Sequence, residues 1–413
     1  GGWGDWPLPF WVHARRNPRR NCAHVAALRA MPQRLVHQHQ RQHRLADRGG
    51  ADADAGIVAT GGDDLGLLAM HVHPATRQTQ AGGRLERHRH QHLLAAADAA
   101  QVLASVRSEV HRVIVGQDTL IDRLLVGMLC HGHVLVEGVP GLAKTLTVST
   151  LGAALDLKHV RIQFTPDLLP SDLIGTEIFS PQDGRFTVRR GPLFANIVLA
   201  DEVNRAPAKV QSALLEAMQE RQVSIGGETF PLDEPFLVMA TMNPIEQEGT
   251  YPLPEAQLDR FLLKVRVDYP TRPEERQILE MSLKGSLPTV RAVASREALA
   301  AARRAVSEVA LDESLKDYIV QLVYATRKPA AYRMPELASL IGFGASPRAS
   351  IALAQSARAH AFLNGRAYTT PDDVKELAHD VLRHRIVTTY EAEAQELTTD
   401  DLIDRVLEGI DVP

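Results

Sequence analysis

One short segment limits the fold of this chain more than any other. It reads VLVEGVPGLAKTLT, from Val134 to Thr147: a short apolar run, a glycine-containing loop and a segment typical of a helix. A strand, a loop and a helix in this order are the setting of a phosphate-binding loop, in which backbone N–H groups face phosphate oxygens at the positive end of the helix. By itself the segment could also be a glycine-rich turn that precedes a helix by chance.

The residues of the loop have separate expected tasks. Gly138 and Gly141 can adopt backbone angles that other residues avoid, and Pro140 restricts its own φ. Lys144 would reach the β- and γ-phosphates of a nucleotide, and the Thr145 hydroxyl would ligate Mg²⁺. The predicted phosphate-binding residues are Gly138, Val139, Pro140, Gly141, Leu142, Ala143, Lys144, Thr145 and Leu146.

Ala143 departs from the commonest form of the loop, which has glycine directly before the lysine. We expect alanine to be compatible if φ is negative at this position. At the start of a helix it would then be favoured over glycine by up to ~1 kcal/mol.

Two further apolar runs end in polar residues. The first, Ile197–Ala200, is followed by Asp201 and Glu202, and the second, within FLVMATMNP, leads to Asn243. In an open α/β sheet such residues lie near the phosphate loop at the carboxyl ends of the strands. Asp201 would then hold Mg²⁺, Glu202 would polarise the attacking water, and the Asn243 amide would orient it. Taken singly, the two acids could be a solvated strand end, and Asn-Pro could be a turn.

Residues 1 to 95 differ in composition from the rest. They hold all three tryptophans and ten of the seventeen histidines, and no lysine precedes Lys144. Tracts such as HQHQRQHR follow neither a helical nor a strand period. We interpret this region as a disordered extension or as upstream or out-of-frame text, although metal binding by histidine and a basic nucleic-acid tail are alternatives.

The whole chain has an ordinary globular composition. Its 413 residues carry a net charge of -4, which gives no general case for binding nucleic acid or a membrane surface. Two cysteines suit a reducing compartment, and no apolar run is long enough to span a bilayer. We therefore expect a cytoplasmic protein without direct nucleic-acid or membrane binding.

Five motifs in order carry a family resemblance. They are EGVPGLAKT, VLADEVNRAP, ATMNP, PEAQLDRF and GASPRA, and over about residues 97–413 the chain resembles the MoxR family of AAA+ ATPases. The resemblance implies an α/β fold: a Rossmann-like αβα P-loop domain, here 97–270, followed by an all-helical lid domain, 271–413. In that family alanine is accepted before the lysine.

The resemblance also implies roles for single residues. Lys144 and Thr145 match the Walker A motif, Asp201 and Glu202 match Walker B, and Asn243 matches sensor 1. The residues that match the adenine-side contact are Val115, Gly116 and Gln117.

Two arginines complete the implied site. Arg260 matches the arginine finger, which reaches the ATP of a neighbouring subunit, and Arg205 is a competing candidate for that task. Arg348 matches sensor 2, which we expect to contact the γ-phosphate from the lid of the same subunit. A guanidinium suits both tasks because it can neutralise charge on phosphoryl oxygens.

Two inserts in the ATPase domain are predicted to be hairpins. Asp183-Gly184 and Gly226-Gly227 each lie between strand-like runs. They resemble the extra hairpins of the helix-2-insert and pre-sensor-1 branches of AAA+ proteins, and their tips are candidates for substrate or partner contact.

The resemblance implies an ATP- and Mg²⁺-dependent, chaperone-like remodelling ATPase. It would work as a homo-oligomeric ring, expected to be a hexamer, with a partner bearing a von Willebrand factor A domain and an unidentified client protein. Two alternatives remain: an ATP-dependent binding switch in which hydrolysis is incidental, and an ATPase subunit like that of magnesium chelatase.

Overall fold

The computed structural model describes residues 98–139, 141–182, 184–243, 249–285 and 288–413. The interpretation of residues 1–95 and the expected task of Pro140 lie outside these ranges.

Five strands form a parallel central sheet. Their bounds are Val134–Glu137 (β1), His159–Gln163 (β2), Ile197–Asp201 (β5), Leu237–Met242 (β8) and Leu263–Arg266 (β9). The strand order across the sheet is β2-β5-β8-β1-β9. The three inner strands β5, β8 and β1 are buried on both faces, which is why they appear in the sequence as continuous apolar runs.

Helices cover both faces of this sheet, as the αβα prediction requires. Alternate residues of β1 belong to different apolar cores: Val134 and Val136 pack in one, and Leu135 in the other. The helices of the ATPase part span 98–111 (α1), Asp118–Leu129 (α2), Lys144–Ala154 (α3), Pro170–Ile174 (α4), Ala208–Glu220 (α5) and Glu255–Leu258 (α6). Helices α1, α2 and α3 contribute to the first core and α5 to the second.

Both predicted hairpins are confirmed. Gly175–Ser180 (β3) pairs antiparallel with Arg185–Arg190 (β4), and Gln222–Ile225 (β6) pairs with Glu228–Pro231 (β7). The two hairpins lie side by side, since a methyl group added at Gly226 would meet the Glu177 carboxyl group at 2.0 Å. Glycine suits this turn because its φ is 59°.

The described residues that follow β9 form a helical lid. Its helices span Arg272–Leu283 (α7), Arg296–Glu308 (α8), Glu313–Arg327 (α9), Pro347–Leu363 (α10), Pro371–Leu382 (α11), Tyr390–Ala394 (α12) and Thr399–Gly409 (α13). As predicted, Thr370 caps α11 with Pro371 at its first position. One short antiparallel pair, Ile341–Phe343 (β10) with Val387–Thr388 (β11), departs from an all-helical lid. Strands of two and three residues are too short to produce a period in the sequence.

Ion pairs, some of them buried, tie the lid to the ATPase part. Arg123 in α2 donates from Nε to Asp380 in α11 at 2.6 Å, and their side chains are only 5% and 8% exposed. A second chain of pairs runs from Arg383 through Asp400 to Arg266. These contacts fix the lid on its own subunit.

No helix in the described ranges combines the length and apolar character needed to cross a membrane. The domain limits 97–270 and 271–413 stay a prediction.

Candidate functional site

The phosphate loop connects β1 to α3, as the sequence predicts. Gly138 follows β1 directly, and Gly141 has a φ of 88°, a conformation that glycine adopts without steric cost. Lys144 is the first residue of the 11-residue helix α3, so the positive end of the helix dipole faces the loop.

Ala143 does not have the backbone conformation that we expected. Its φ is 54° and its ψ 20°, in the left-handed region, and it is the N-cap residue of α3. The expectation of a negative φ, and with it the helix-propensity argument for alanine, is therefore wrong. The turn from loop to helix imposes the conformation, and a left-handed backbone costs a residue with a Cβ atom about 1–2 kcal/mol.

Lys144 faces acidic residues across a cavity. Its Nζ donates to the carbonyl oxygen of Gly138 at 2.6 Å. Burial lowers the pKa of Lys144, and the negative charges of Asp201 and Glu202 oppose that shift. The ammonium group thus lies where phosphate oxygens could replace the carbonyl as its partner.

Asp201 ends β5 and is held by two neighbouring strands. Thr241 of β8 donates from its hydroxyl to Oδ1 at 2.6 Å. Arg161 of β2 donates from Nη2 and Nε to Oδ2, at 2.7 and 3.0 Å. The carboxylate therefore has a fixed orientation at the carboxyl edge of the sheet.

Glu202 is held at its backbone and at its side chain. It has a φ of 56°, and its amide donates to the Thr241 hydroxyl at 2.9 Å. Its Oε2 accepts hydrogen bonds from Gln163 at 2.7 Å and from Arg205 at 3.0 Å. Arg205, a candidate for action on a neighbouring subunit, thus contacts Glu202 of its own chain.

Lys144, Asp201 and Glu202 line a single cavity of about 440 Å³. Polar side chains that the sequence analysis singled out converge on it: Lys144, Thr145, Asp201, Glu202 and Asn243. Asn243 follows β8 and is 7% exposed. The expected convergence at the carboxyl ends of the parallel strands is therefore found.

A second cavity, of about 370 Å³, adjoins the first, and both are lined by Gly141, Leu142, Ala143 and Leu146. Its remaining wall includes Val113, Ile114, Val115, Gln117, Ile278 and Met281. Gly116 has a φ of 68°, and its Cα packs so closely on Glu274 that an added Cβ would lie 2.8 Å from that carboxylate. This mainly apolar space next to the phosphate loop lies where Val115, Gly116 and Gln117 were expected to meet the base.

The two cavities together fit a nucleotide with its metal. The polar cavity offers a lysine and a helix N-terminus for phosphates, and the apolar one offers aliphatic side chains for a base. Within the described ranges, no group of three or more His, Cys, Asp or Glu residues is arranged to hold a metal ion. Mg²⁺ suits Thr145 and Asp201, since this ion takes few protein ligands and shares the substrate's phosphate oxygens.

Arg161 and Gln163 are site residues that the sequence analysis missed. Both belong to β2, and the register places Gln163 beside Asp201. Alternating polar residues on a short strand also suit an exposed sheet edge. Only the pairing of β2 with β5 reveals their task.

Arg260 and Arg348 lie together, away from the phosphate loop. Both line a cavity with His131, Gly132 and His133, which precede β1, whereas Gly138 follows it. At about 3.3 Å per residue, the five steps from His133 to Gly138 separate the two ends of β1 by on the order of 15 Å. The arginine cavity thus lies at the amino-terminal ends of the strands, and the phosphate loop lies at their carboxyl ends.

This placement contradicts the contact that we expected for Arg348 within its own subunit. The start of α10 lies at the amino-terminal ends of the strands, away from the phosphate loop, with Arg348 Nη1 at 3.6 Å from Asp259 Oδ2. Arg260 remains exposed, as an arginine that serves another subunit must be.

Comparison with known proteins agrees with this geometry. Residues 133–263 match the family described as ATPase family associated with various cellular activities (AAA), and residues 337–406 match the AAA lid domain. A crystal structure from Cytophaga hutchinsonii, of a protein assigned as an ATPase, superposes with a TM-score of 0.75 at 49% identity, covering 80% of this chain and 99% of its own.

Curated relatives give the family its name. Chaperone MoxR1 of Mycobacterium tuberculosis is 52% identical over 74% of this chain and 81% of its own length. Protein YeaC of Bacillus subtilis is 42% identical over 76% of this chain and 96% of its own. Protein MoxR of Paracoccus denitrificans is 34% identical over 73% and 93%. The chain belongs to the MoxR family of AAA+ ATPases.

Proposed function

We propose that this protein hydrolyses ATP at the cavity between the phosphate loop and the carboxyl ends of β5 and β8. The observation that carries the proposal is the convergence of Lys144, Thr145, Asp201, Glu202 and Asn243 on one cavity. The phosphates bind at Lys144 and the start of α3, and the base binds in the adjoining apolar cavity.

Glu202 and Asn243 are the groups that act on the attacking water. A carboxylate accepts a proton from the water, and an amide can both donate to it and accept from it. Thr145 and Asp201 would hold Mg²⁺, which would supply positive charge for the phosphoryl transfer. Lys144 adds a second positive charge in the same cavity.

The remaining positive charge comes from a second copy of the chain. Arg260 and Arg348 lie at the sheet edge opposite their own phosphate loop, so a head-to-tail assembly brings them to the cavity of a neighbour. A contact that joins two different surfaces of identical chains forms a ring when its rotation closes. We propose such a ring, with six subunits, and we assign Arg348 to the same task in trans as Arg260.

We propose that the protein uses the free energy of ATP hydrolysis to remodel other proteins. The M. tuberculosis relative is named a chaperone, and the two hairpins β3–β4 and β6–β7 extend the ATPase part beyond the central sheet. We propose a chaperone-like remodelling role in the cytoplasm, on a client protein and with a partner that bears a von Willebrand factor A domain.

The decisive experiment compares the wild type with Glu202→Gln. We expect the wild type to release phosphate from Mg-ATP, and Glu202→Gln to bind ATP with similar affinity but without turnover. Glu313→Gln changes an exposed carboxylate on α9 and is the matched control, with wild-type turnover. A wild type without hydrolysis would overturn the proposal, and equal turnover in Glu202→Gln would overturn the role of Glu202.

A further inference from the structure

Asp259 directly precedes Arg260 in the chain and contacts Arg348 in space. We infer that Asp259 is a positioning residue that holds Arg348 beside Arg260, so that the two guanidinium groups reach one nucleotide of a neighbouring subunit. This inference rests on the proposed ATPase function, and it adds to that function a residue that touches no nucleotide.

Each carboxylate oxygen of Asp259 has its own partner in the lid. Oδ1 accepts a hydrogen bond from Nε of Arg385 at 2.7 Å. Oδ2 accepts from the Ser346 hydroxyl at 3.0 Å and lies 3.6 Å from Nη1 of Arg348. One carboxylate thus joins the loop before β9 to two separate parts of the lid.

Arg385 fixes the position of this carboxylate independently of Arg348. Its side chain is 3% exposed, and its Nη2 donates to the carbonyl oxygen of Phe261 at 2.6 Å. Its Nη1 donates to the carbonyl oxygen of Leu262 at 3.2 Å. The segment from Asp259 to Leu262, which contains Arg260, is therefore held as a unit.

Ser346 carries this order into helix α10. It is the N-cap residue of α10, and its hydroxyl accepts from the backbone amide of Arg348 at 3.2 Å while it donates to Asp259. Asp259 thus fixes both the backbone at Arg348 and its guanidinium group.

Arg348 needs such a partner because 57% of its side chain is exposed. A long side chain in water samples many rotamers, and ordering it costs conformational entropy. A charge placed in advance where negative charge develops in a reaction needs no reorganisation at that moment. Asp259 orders Arg348 before a neighbouring subunit arrives.

The first test is steady-state kinetics of Asp259→Asn in the assembled protein. We expect kcat to fall about 10–100-fold, the loss typical of a misplaced charged group, while KM for ATP changes less than about twofold, since uniform binding is untouched. In the Arg348→Ala background, Asp259→Asn should add little further loss, because both changes remove the same contribution. A full second loss, or an unchanged kcat in the single variant, would overturn the inference.

Mixed assemblies test whether Asp259 serves the neighbour. Lys144→Ala subunits lack a working cavity but keep Asp259 and both arginines. Asp259→Asn subunits keep a working cavity but lack the carboxylate that positions Arg348. In a 1:1 mixture, random head-to-tail assembly joins an intact cavity to intact arginines at about a quarter of the interfaces. The activity of the mixture should therefore exceed the mean of the two separate proteins several-fold, and a mixture that stays at that mean would overturn the inference.

Two variants separate positioning from general loosening of the lid. Asp400→Asn removes another carboxylate between lid and ATPase part, and kcat should stay near wild type; an equal loss would contradict the role of Asp259. Ser346→Ala keeps the Asp259–Arg385 pair and should also lower kcat. If Asp259→Asn folds poorly, Ser346→Ala tests the inference in its place. If the wild type itself fails to hydrolyse ATP, the proposed function fails first.

Discussion

Lys144 Nζ lies 2.6 Å from the carbonyl oxygen of Gly138, across the loop that joins β1 to α3. The lysine is therefore already directed into the cavity that Asp201 and Glu202 also line. Because a carbonyl oxygen is an acceptor like a phosphate oxygen, a nucleotide can take the lysine over with little movement of its side chain.

Lys144→Ala should abolish ATP hydrolysis and weaken ATP binding strongly. The variant removes the one ammonium group among the residues that line the polar cavity. Titration with a fluorescent ATP analogue and phosphate release would measure both effects. Lys209→Ala is the matched control, since Lys209 is exposed on α5, and similar losses in both variants would contradict the assignment.

Ala143→Gly should stabilise the protein by up to about 1–2 kcal/mol, because glycine adopts the left-handed conformation without the Cβ penalty. ATP hydrolysis should stay within a few-fold of wild type. Denaturant unfolding would measure the stability change. Ala300→Gly, at an exposed position inside α8, should instead lose about 1 kcal/mol. A loss of stability at both positions would contradict the left-handed conformation of Ala143.

Arg260→Ala should remove the dependence of activity on protein concentration. If the arginine acts on a neighbour, the activity per subunit rises as wild-type subunits assemble. In GTPases, an arginine finger supplied in trans raises the rate about 10³–10⁵-fold. Hydrolysis measured over a dilution series, with assembly followed by sedimentation, would check this. Wild-type activity that is independent of concentration would favour the binding-switch alternative.

The stability of the protein should fall between pH 6.5 and pH 4 through His133. Its Nδ1 accepts from the Val238 amide at 3.0 Å, and its Nε2 donates to the Met218 carbonyl at 3.0 Å. Burial lowers the pKa of His133 to about 4. Because the unfolded state binds the proton at higher pH, one such group lowers stability by up to about 1.4 kcal/mol per pH unit in this window.

Denaturant unfolding at several pH values would measure that slope. His133→Gln should flatten it, while His159→Gln, which changes an exposed histidine, should leave it unchanged. Equal slopes in the wild type and His133→Gln would show that His133 does not carry the effect. Part of the slope will remain in either variant, because burial also lowers the pKa of His384.

Arg123→Ala should destabilise the protein by about 1.5–3 kcal/mol, because Asp380 loses one of its two arginine partners and keeps only Arg383, at 2.7 Å. Arg276→Ala is the control. It breaks an exposed pair with Glu280 on α7, which contributes about 0.3–0.5 kcal/mol. Denaturant unfolding of both variants would compare them. Similar small losses would contradict the role of the Arg123–Asp380 pair in fixing the lid.

Much of the fold and the nucleotide cavity could be predicted because the evidence was local in sequence. Apolar runs that end in Asp201-Glu202 and near Asn243 mark inner strands of a parallel sheet, and parallel strands bring their carboxyl ends to one edge. The turn glycines placed both hairpins, and Thr370-Pro371 placed the start of α11, because the chemistry of turns and caps depends on a few adjacent residues.

The sequence by itself thus determined the phosphate loop, the order of the inner strands along the chain and the acids at their ends. Only the tertiary structure decided the rest. Ala143 has a positive φ because the loop must turn into α3, and Gln163 reaches Glu202 because β2 pairs with β5. Arg348 lies beside Arg260 because contacts distant in sequence, centred on Asp259, hold the start of α10 next to the loop before β9. Contacts of that kind depend on how whole elements pack, which no local pattern of residues encodes.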